Sequence, residues 1–484
     1  MSSHPAQRHP RQPVIQVGST PSASLGRRAA WGIFVLALVI RVAFVLTLPP
    51  TLTWDDEREF TAVARHLAAG DGFVSTSYRA TPVLPAYLGA TFAAFGESYA
   101  AARIGQAVFG ALTCVLVALT AVRLAGPAVG LLSGLALALY LPHVYLSGVF
   151  YSECLFTFFI SLTVYCAVRT FDGAVRWAVA TGLVFGVTVL TRSVFIAFGP
   201  FLCAALVVGA APALRRRQIV ACGVLVLSAA AVILPWTARN YAVFGKPILV
   251  SSGFGTKLWQ GNNELAAGDA DDRELYWWND IGRARLAGLG PRERATIEAR
   301  YAEAGRQVDA LEAQLGDRYL ASDAVLGPIA LDYMRTHPGR TVALFARKLM
   351  TLLSPWSKTL STNEDTSRLK RLLATVFSLP VLALAAAGAV LGLRRDPRLV
   401  LLYALLGSIA VAYSLLNTCT RFRLPLDPYL IIFAAIAVVE PWARLRSGAH
   451  PRSPSDQGCS PRPFRTGGPP TGAAGAAARS TGGP

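Results

Sequence analysis

Charge is what this chain has least of for its size. Of its 484 residues 53% are hydrophobic and only 15% are Asp, Glu, Lys or Arg, with a mean hydropathy of +0.44. That balance excludes a water-soluble globular protein, where about a quarter of residues are charged. Acidic residues are scarcest, 28 against 46 basic ones, for a net charge of +18. The arginines are scattered through short loops and both tails, which fits lipid headgroups and orientation signals and excludes a nucleic-acid-binding stripe. The usual reactive motifs are missing as well. Cys114, Cys154, Cys166, Cys203, Cys222, Cys419 and Cys459 show no Cys-x-x-Cys spacing and lie mostly within apolar runs, as small core residues do. His66, His143 and His337 belong to no zinc pattern and read as packing or capping residues. There is no Gly-x-Ser-x-Gly, and Ser252-Gly253-Phe254-Gly255-Thr256-Lys257 lacks the spacing of a phosphate-cradling loop.

What is abundant is the long apolar run. The first, 29–48, is too long for the core of a cleavable signal, and no small-x-small cleavage site follows it, so it reads as an anchor that stays. Others follow at about 99–122, 126–147, 150–168, 176–191, 194–213, 218–235, 371–393, 399–416 and 425–442. Each approaches or exceeds the length that crosses a hydrocarbon core of about 30 Å. The sequence therefore predicts an all-α polytopic membrane protein, a bundle of about ten transmembrane helices with both termini in the cytoplasm. Arg123, Arg169, Arg176, Arg215 to Arg217, Arg394, Arg395 and Arg398 fall in the loops this places inside, as the positive-inside tendency requires.

The expected layout is a disordered cytoplasmic start (1–28) and an N-terminal transmembrane catalytic module (29–235) that includes a first outer loop (50–98). An outer-face segment (236–370), the C-terminal transmembrane helices (371–446) and a disordered tail (447–484) complete it. Within the outer segment an amphipathic helix is expected near 291–315. A second should end at about His337, because Pro338 disfavours helix before it. The apolar stretch 341–356, interrupted by Arg347 and Lys348, reads as an interfacial helix with snorkelling basic residues.

The densest acidic cluster near any membrane edge is Thr53-Trp54-Asp55-Asp56-Glu57-Arg58-Glu59-Phe60. Phe60, Val63, Ala64 and Leu67 follow at the spacing of one helix face, Gly70 ends the run, and the prolines of 81–85 are expected to turn the chain back towards the next apolar stretch. Asp55, Asp56 and Glu57 thus open an amphipathic helix just outside the membrane. They either cap it, with Thr53 and Asp56 as a capping box, or carry chemistry. Glu153 opens a span on the same face, and is either a cap or the partner of Asp56 in a two-carboxylate site for a general base or a divalent cation. Arg79, Arg239, Arg421 and Arg423 lie near the outer ends of spans, as interface anchors or as phosphate-binding guanidiniums.

The order of short motifs carries a resemblance. Asp56-Glu57, then Phe60 and the Gly70-Asp71-Gly72 stop, are followed by Thr81-Pro82-Val83-Leu84-Pro85, Ser152-Glu153, 239–245, 258–263, 333–338 and Arg421-Phe422-Arg423-Leu424-Pro425. Over nearly all of 30–442 this resembles the glycosyltransferase family 39-like proteins. That group includes protein O-mannosyltransferases and aminoarabinose lipid A transferases, within the GT-C membrane glycosyltransferases. The resemblance implies a GT-C-like bundle with a small outer-face domain, in the cytoplasmic membrane of a prokaryote. It also implies a polyprenyl-phosphate sugar donor and transfer with inversion to a lipid, glycan or protein acceptor. Asp56 matches the family's first-loop catalytic carboxylate and Glu57 its neighbour. Glu59 departs from the basic residue some lipid A transferases carry at that place, so their acceptor chemistry is not carried over. The competing expectations are a transporter or flippase of lipid-linked sugars, disfavoured by the absence of an evident repeat, and a related oligosaccharide ligase.

Overall fold

The computed structural model describes residues 25–73, 81–356 and 368–448, and the described residues contain helices and no strand. The first compact unit, Met1–Glu440, holds everything discussed below; of the second, Pro441–Pro484, only the helical residues 441–448 are described. The chain runs through α1 (Arg27–Leu46), α2 (Asp55–Ala69), α3 (Val83–Phe95), α4 (Tyr99–Ala125), α5 (Pro127–Leu139), α6 (Leu141–Tyr145), α7 (Glu153–Thr170), α8 (Val175–Thr191), α9 (Phe198–Val208) and α10 (Arg215–Phe244). A set of five helices follows: α11 (Phe254–Gly261), α12 (Asp280–Ala287), α13 (Pro291–Leu315), α14 (Arg318–Thr336) and α15 (Pro338–Leu353). The unit closes with α16 (Arg368–Gly392), α17 (Val400–Leu415) and α18 (Asp427–Gly448).

Among the described residues seven helical stretches are long and apolar enough to cross a membrane: α1, α4, α7, the Pro212–Phe244 stretch, α16, α17 and α18. The other three expected spans are shorter helices, and each has a local cause. At 126–147, Pro142 has no N–H to offer the Ala138 carbonyl four residues back, so α5 stops at Leu139 and α6 begins after a break. The guanidinium of Arg41 fills the gap, donating to Ala138 O at 3.3 Å and Leu137 O at 3.4 Å. This charge lies inside the first span. The helix-end carbonyls it satisfies give it a structural function. At 176–213, Arg192 and a 3₁₀ turn (Ser193–Ala197) separate α8 from α9.

Small residues set how closely these helices approach. A Cβ on Gly182 of α8 would meet Leu225 O of α10 at 2.3 Å, and one on Gly186 would meet Val232 Cβ at 2.7 Å. The pair forms the four-residue spacing that lets two helix backbones touch in a lipid environment. One large apolar core joins α1, α4, α5, α7, α8, α9, α10, α17 and α18, and a second lies among α2, α3, α4 and the start of α7.

Several local expectations agree with the structure. Gly70 caps α2 at φ 89°, α13 spans Pro291–Leu315, and His337 is the C-cap of α14. Two need correcting. Helix α3 forms where a turn was expected, because Pro82 and Pro85 sit at its N-terminal end, where no helical N–H is needed. Of the two basic residues expected to snorkel from α15, Arg347 is exposed but Lys348 is fully buried, donating to Leu416 O at 2.8 Å and Gly261 O at 3.1 Å. The carbonyls freed at the ends of α11 and α17 solvate its ammonium better than an interface would, and the lysine clamps those two ends together. Most of the tail (449–484), residues 1–24 and the stretch 357–367 lie outside the described residues.

Candidate active site

The first turn of α2 presents three carboxylates, and the structure gives each a different place. Glu57 is 1% exposed. One of its oxygens accepts from the backbone N–H groups of Thr53 (2.9 Å) and Trp54 (3.1 Å), and the other from Phe150 N–H (2.9 Å). It is therefore the capping residue of α2 and ties that helix to the segment leading into α7. This corrects one expectation, since the cap is neither Thr53 nor Asp56, and it leaves both oxygens of Glu57 occupied by backbone donors. Asp55 points to solvent and pairs with Arg58 at 2.8 Å.

Asp56 is the one of the three that meets Arg421. Its Oδ2 accepts from Nη1 of Arg421 at 3.0 Å, while 49% of its side chain stays exposed. Arg421 comes from the 3₁₀ turn Thr420–Leu426 that precedes α18. Its guanidinium lies 4.2 Å above the Tyr151 ring, and its Nε is 3.0 Å from Glu153 Oε1. The Glu153 oxygen also faces Arg192 at 2.6 Å, and Arg192 lies over Phe422 at 4.7 Å. Asp56, Arg421, Glu153 and Arg192 thus alternate in charge, drawn from α2, the 420–426 turn, α7 and the α8–α9 break. Glu153, 1% exposed, serves as the buried anchor of the two arginines. Arg421 occupies the space between the two carboxylates, and among the described residues no group of three or more His, Cys, Asp or Glu is placed to hold a metal ion.

Lys257 and Arg273 complete the cluster. Lys257 lies on α11, whose start is fixed from outside: Asp323 of α14 accepts from the N–H groups of Gly253 (3.0 Å) and Thr256 (2.8 Å). Lys257 Nζ donates to Gln260 Oε1 at 3.2 Å, and that oxygen also accepts from Asn417 at 2.8 Å. Burial and then Arg273 depress its pKa to about 8, with Asp56 and Glu274 partly opposing them. Arg273 pairs with Glu274 at 3.2 Å and touches Cys419 Sγ. Burial raises the pKa of Asp56, but Arg421, Arg273 and Arg192 outweigh it and hold the carboxyl below its ordinary value. Four cations (Arg192, Lys257, Arg273 and Arg421) meet three carboxylates (Asp56, Glu153 and Glu274), so the cluster keeps room for one more negative charge.

The remaining expected arginines are elsewhere. Arg423 is turned away from the cluster, 3% exposed, and donates to Asp427 (2.9 Å), Ser354 O (2.7 Å) and Ser378 Oγ (3.0 Å). Every arm of its guanidinium is committed inside the protein. Arg239 holds Phe73 O at 2.8 Å and lies over Trp236 at 5.0 Å, an anchor between α10 and the end of the first loop. Arg79 lies outside the described residues.

With this geometry in hand, comparison with known proteins is informative. Residues 79–236 match the family described as dolichyl-phosphate-mannose-protein mannosyltransferase. No curated protein matches the sequence. Among solved structures, the oligosaccharyltransferase AglB of Archaeoglobus fulgidus, in complex with an inhibitory peptide and a dolichol-phosphate, superposes with a TM-score of 0.51. That match has 14% identity over 88% of this chain and 52% of AglB. A second structure of the Archaeoglobus fulgidus oligosaccharyltransferase, tethered to an acceptor peptide, gives 0.52 at 15% identity over 88% and 51%. ArnT of Cupriavidus metallidurans bound to undecaprenyl phosphate gives 0.41 at 18% identity over 86% and 79%. The chain spans about half the length of the oligosaccharyltransferases it matches. Over 79–236 the chain is similar to that mannosyltransferase family, its fold is similar to that of the oligosaccharyltransferases, and it is an all-helical polytopic membrane protein.

Proposed function

We propose that the protein transfers a sugar from a polyprenyl-phosphate-linked donor to an acceptor hydroxyl or phosphate, with inversion, on the outer face of the cytoplasmic membrane. The observation that carries this reading is Asp56: a half-exposed carboxylate in a cluster that otherwise has a surplus of fixed cations. The acceptor oxygen attacks the anomeric carbon while the bond from that carbon to the phosphate oxygen breaks. For a hydroxyl acceptor, the proton passes to Asp56. The electron pair leaves on the polyprenyl phosphate, which needs no strong acid because it departs as an anion. Arg421, Arg273 and Lys257 stabilise the charge that grows there. A carboxylate held at low pKa is a weak base. An arriving phosphate offers Arg421 a second partner, loosens its hold on Asp56 and so raises the basicity of that group when it is needed. Mass spectrometry of envelope glycans from a strain lacking the protein tests the activity: one sugar substituent should disappear relative to the parent, and an unchanged glycan profile would contradict the reading.

The role of Lys257 makes a pH prediction. Its ammonium loses the proton as pH rises through about 8, so donor affinity should fall across that interval. Lys257→Gln should bind the donor roughly tenfold or more weakly and lose the pH step, as expected for a charge-assisted contact. Folding moves the other way. A lysine whose pKa is depressed on folding releases its proton earlier in the folded state, so stability rises with pH above about 8. Donor binding measured alongside thermal unfolding separates the two; an affinity independent of pH between 7 and 9 would remove Lys257 from the site.

The orientation is part of the proposal. Arg123 pairs with Asp172 at 3.2 Å, and Arg398 donates to the Arg123 carbonyl at 3.1 Å, so the arginine-bearing loops share one end of the bundle. The site, at the other end, would then face outward. In intact cells, a cysteine replacing exposed Arg306 should react with an impermeant thiol reagent, and one replacing Arg216 should stay protected. The reverse pattern would invert the protein in the membrane.

A further inference from the structure

The end of the bundle opposite Asp56 contains a cavity of 690 Å³ where α7 and α9 finish and where α10 and α17 begin. Helix α7 links the two ends: it starts at Glu153 in the cluster and its C-cap, Phe171, lines the cavity about 27 Å away at 1.5 Å per residue. The wall combines apolar side chains, among them Phe171, Val208 and Leu214, with Arg215, Arg395 and Arg398 and the single carboxylate Asp396. Gly209 belongs to its floor, packed so closely that a Cβ there would meet Val400 Cγ1 at 3.0 Å and Phe171 Cε1 at 3.1 Å.

The three arginines are not equally engaged. Arg398 is held by Asp396, at 2.6 Å through Nη2 and 3.0 Å through Nε, and also donates to Arg123 O. Arg395 reaches Glu440 only at 4.0 Å. Arg215 is exposed and has no carboxylate partner among the described residues. Two guanidiniums therefore border the cavity with donors to spare, and the one carboxylate in the wall is already taken.

We propose that this cavity binds the phosphate headgroup of an anionic membrane phospholipid, with Arg215 and Arg395 on the phosphate and the apolar wall against the start of the acyl chains. The depth of the site favours a lipid over a soluble phosphate compound: span ends form its rim, which is where headgroups lie. A planar guanidinium suits a phosphate diester, and basic pockets between transmembrane helices take anionic headgroups for these reasons. The site is independent of the sugar-transfer reading.

The test uses the purified full-length protein in a neutral detergent, titrated with dihexanoyl phosphatidylglycerol, dihexanoyl phosphatidylcholine or inorganic phosphate while thermal unfolding is followed. Phosphatidylglycerol should raise Tm saturably, and the other two should not. In Arg215→Ala/Arg395→Ala the apparent affinity should fall roughly tenfold or more. Arg216→Ala, beside the cavity but not lining it, and Lys257→Gln, at the other end, should both keep the full response. Arg215 is exposed and Arg395 has only a long ion pair, so the double variant should fold; if it does not, Arg215→Ala alone carries the comparison. Equal stabilisation by phosphatidylcholine, a response to inorganic phosphate as strong as to the lipid, loss of the response in Lys257→Gln, or its survival in the arginine variants would each overturn the proposal.

Discussion

Asp56→Asn is expected to lower sugar transfer by roughly 10²–10⁴-fold, the usual worth of a general base, without unfolding the protein. The variant keeps the size of the side chain and an oxygen for Arg421 at the 3.0 Å contact, but it cannot take the acceptor's proton. Helix α2 should be undisturbed, because its cap is Glu57, whose carboxylate holds Thr53 and Trp54 whatever stands at position 56. Asp55→Asn is the control. It removes one exposed ion pair with Arg58, a contact worth at most about 1 kcal/mol, and should leave transfer near the parental rate. Turnover of both purified variants in detergent, with thermal unfolding measured in parallel, separates catalysis from folding. A parental rate for Asp56→Asn, or failure of Asp55→Asn instead, would place the base elsewhere.

The second large effect is on the fold. Arg423→Met should destabilise the protein by roughly 3–5 kcal/mol, because it strands a buried charge. Asp427, 1% exposed, would keep only the Tyr140 hydroxyl at 2.9 Å, and Ser354 O and Ser378 Oγ would lose their donor. Removing both charges in Arg423→Met/Asp427→Leu should recover much of the loss, since no orphaned ion remains. Thermal or denaturant unfolding of the two variants in detergent checks this. If Arg423→Met unfolds with the parent but loses donor binding, Arg423 belongs in the site and Arg421 does not. The two arginines are two positions apart on a 3₁₀ turn, so they face different sides of it: Arg421 towards α2 and α7, Arg423 towards α16 and α18.

That divergence shows where the sequence was readable and where it was not. Spans with a long, mostly apolar run, such as α4 and α18, were legible because length and hydropathy together carry the signal. The α5–α6 break was not, although Pro142 sits inside the run, because the residue that makes the break tolerable is Arg41, 97 positions from Ala138. Asp56, Glu153 and Arg421 were legible as types of residue at one face. Locally, Glu57 differs from Asp56 in standing at the N3 position, from which a carboxylate reaches back to Trp54 N–H, while its contact with Phe150 N–H, 93 positions away, has no local signal. Lys257, Arg273 and Arg192 went unassigned for the same reason: each lies in a different segment, and only the fold brings them to one carboxylate. A weak signal for Lys257 did exist, since it directly precedes the 258–263 motif.

The most direct test of the central claim is release of polyprenyl phosphate by the purified protein. Polyprenyl-phosphate donors bearing hexoses and pentoses would be incubated with a membrane extract as acceptor, and the freed lipid phosphate measured by mass spectrometry. The proposed chemistry predicts release from at least one donor by the parental protein, and release lowered roughly 10²–10⁴-fold in Asp56→Asn. Release from none of the donors, or release at the same rate by Asp56→Asn, would contradict the assignment of Asp56 and its arginines as the catalytic centre.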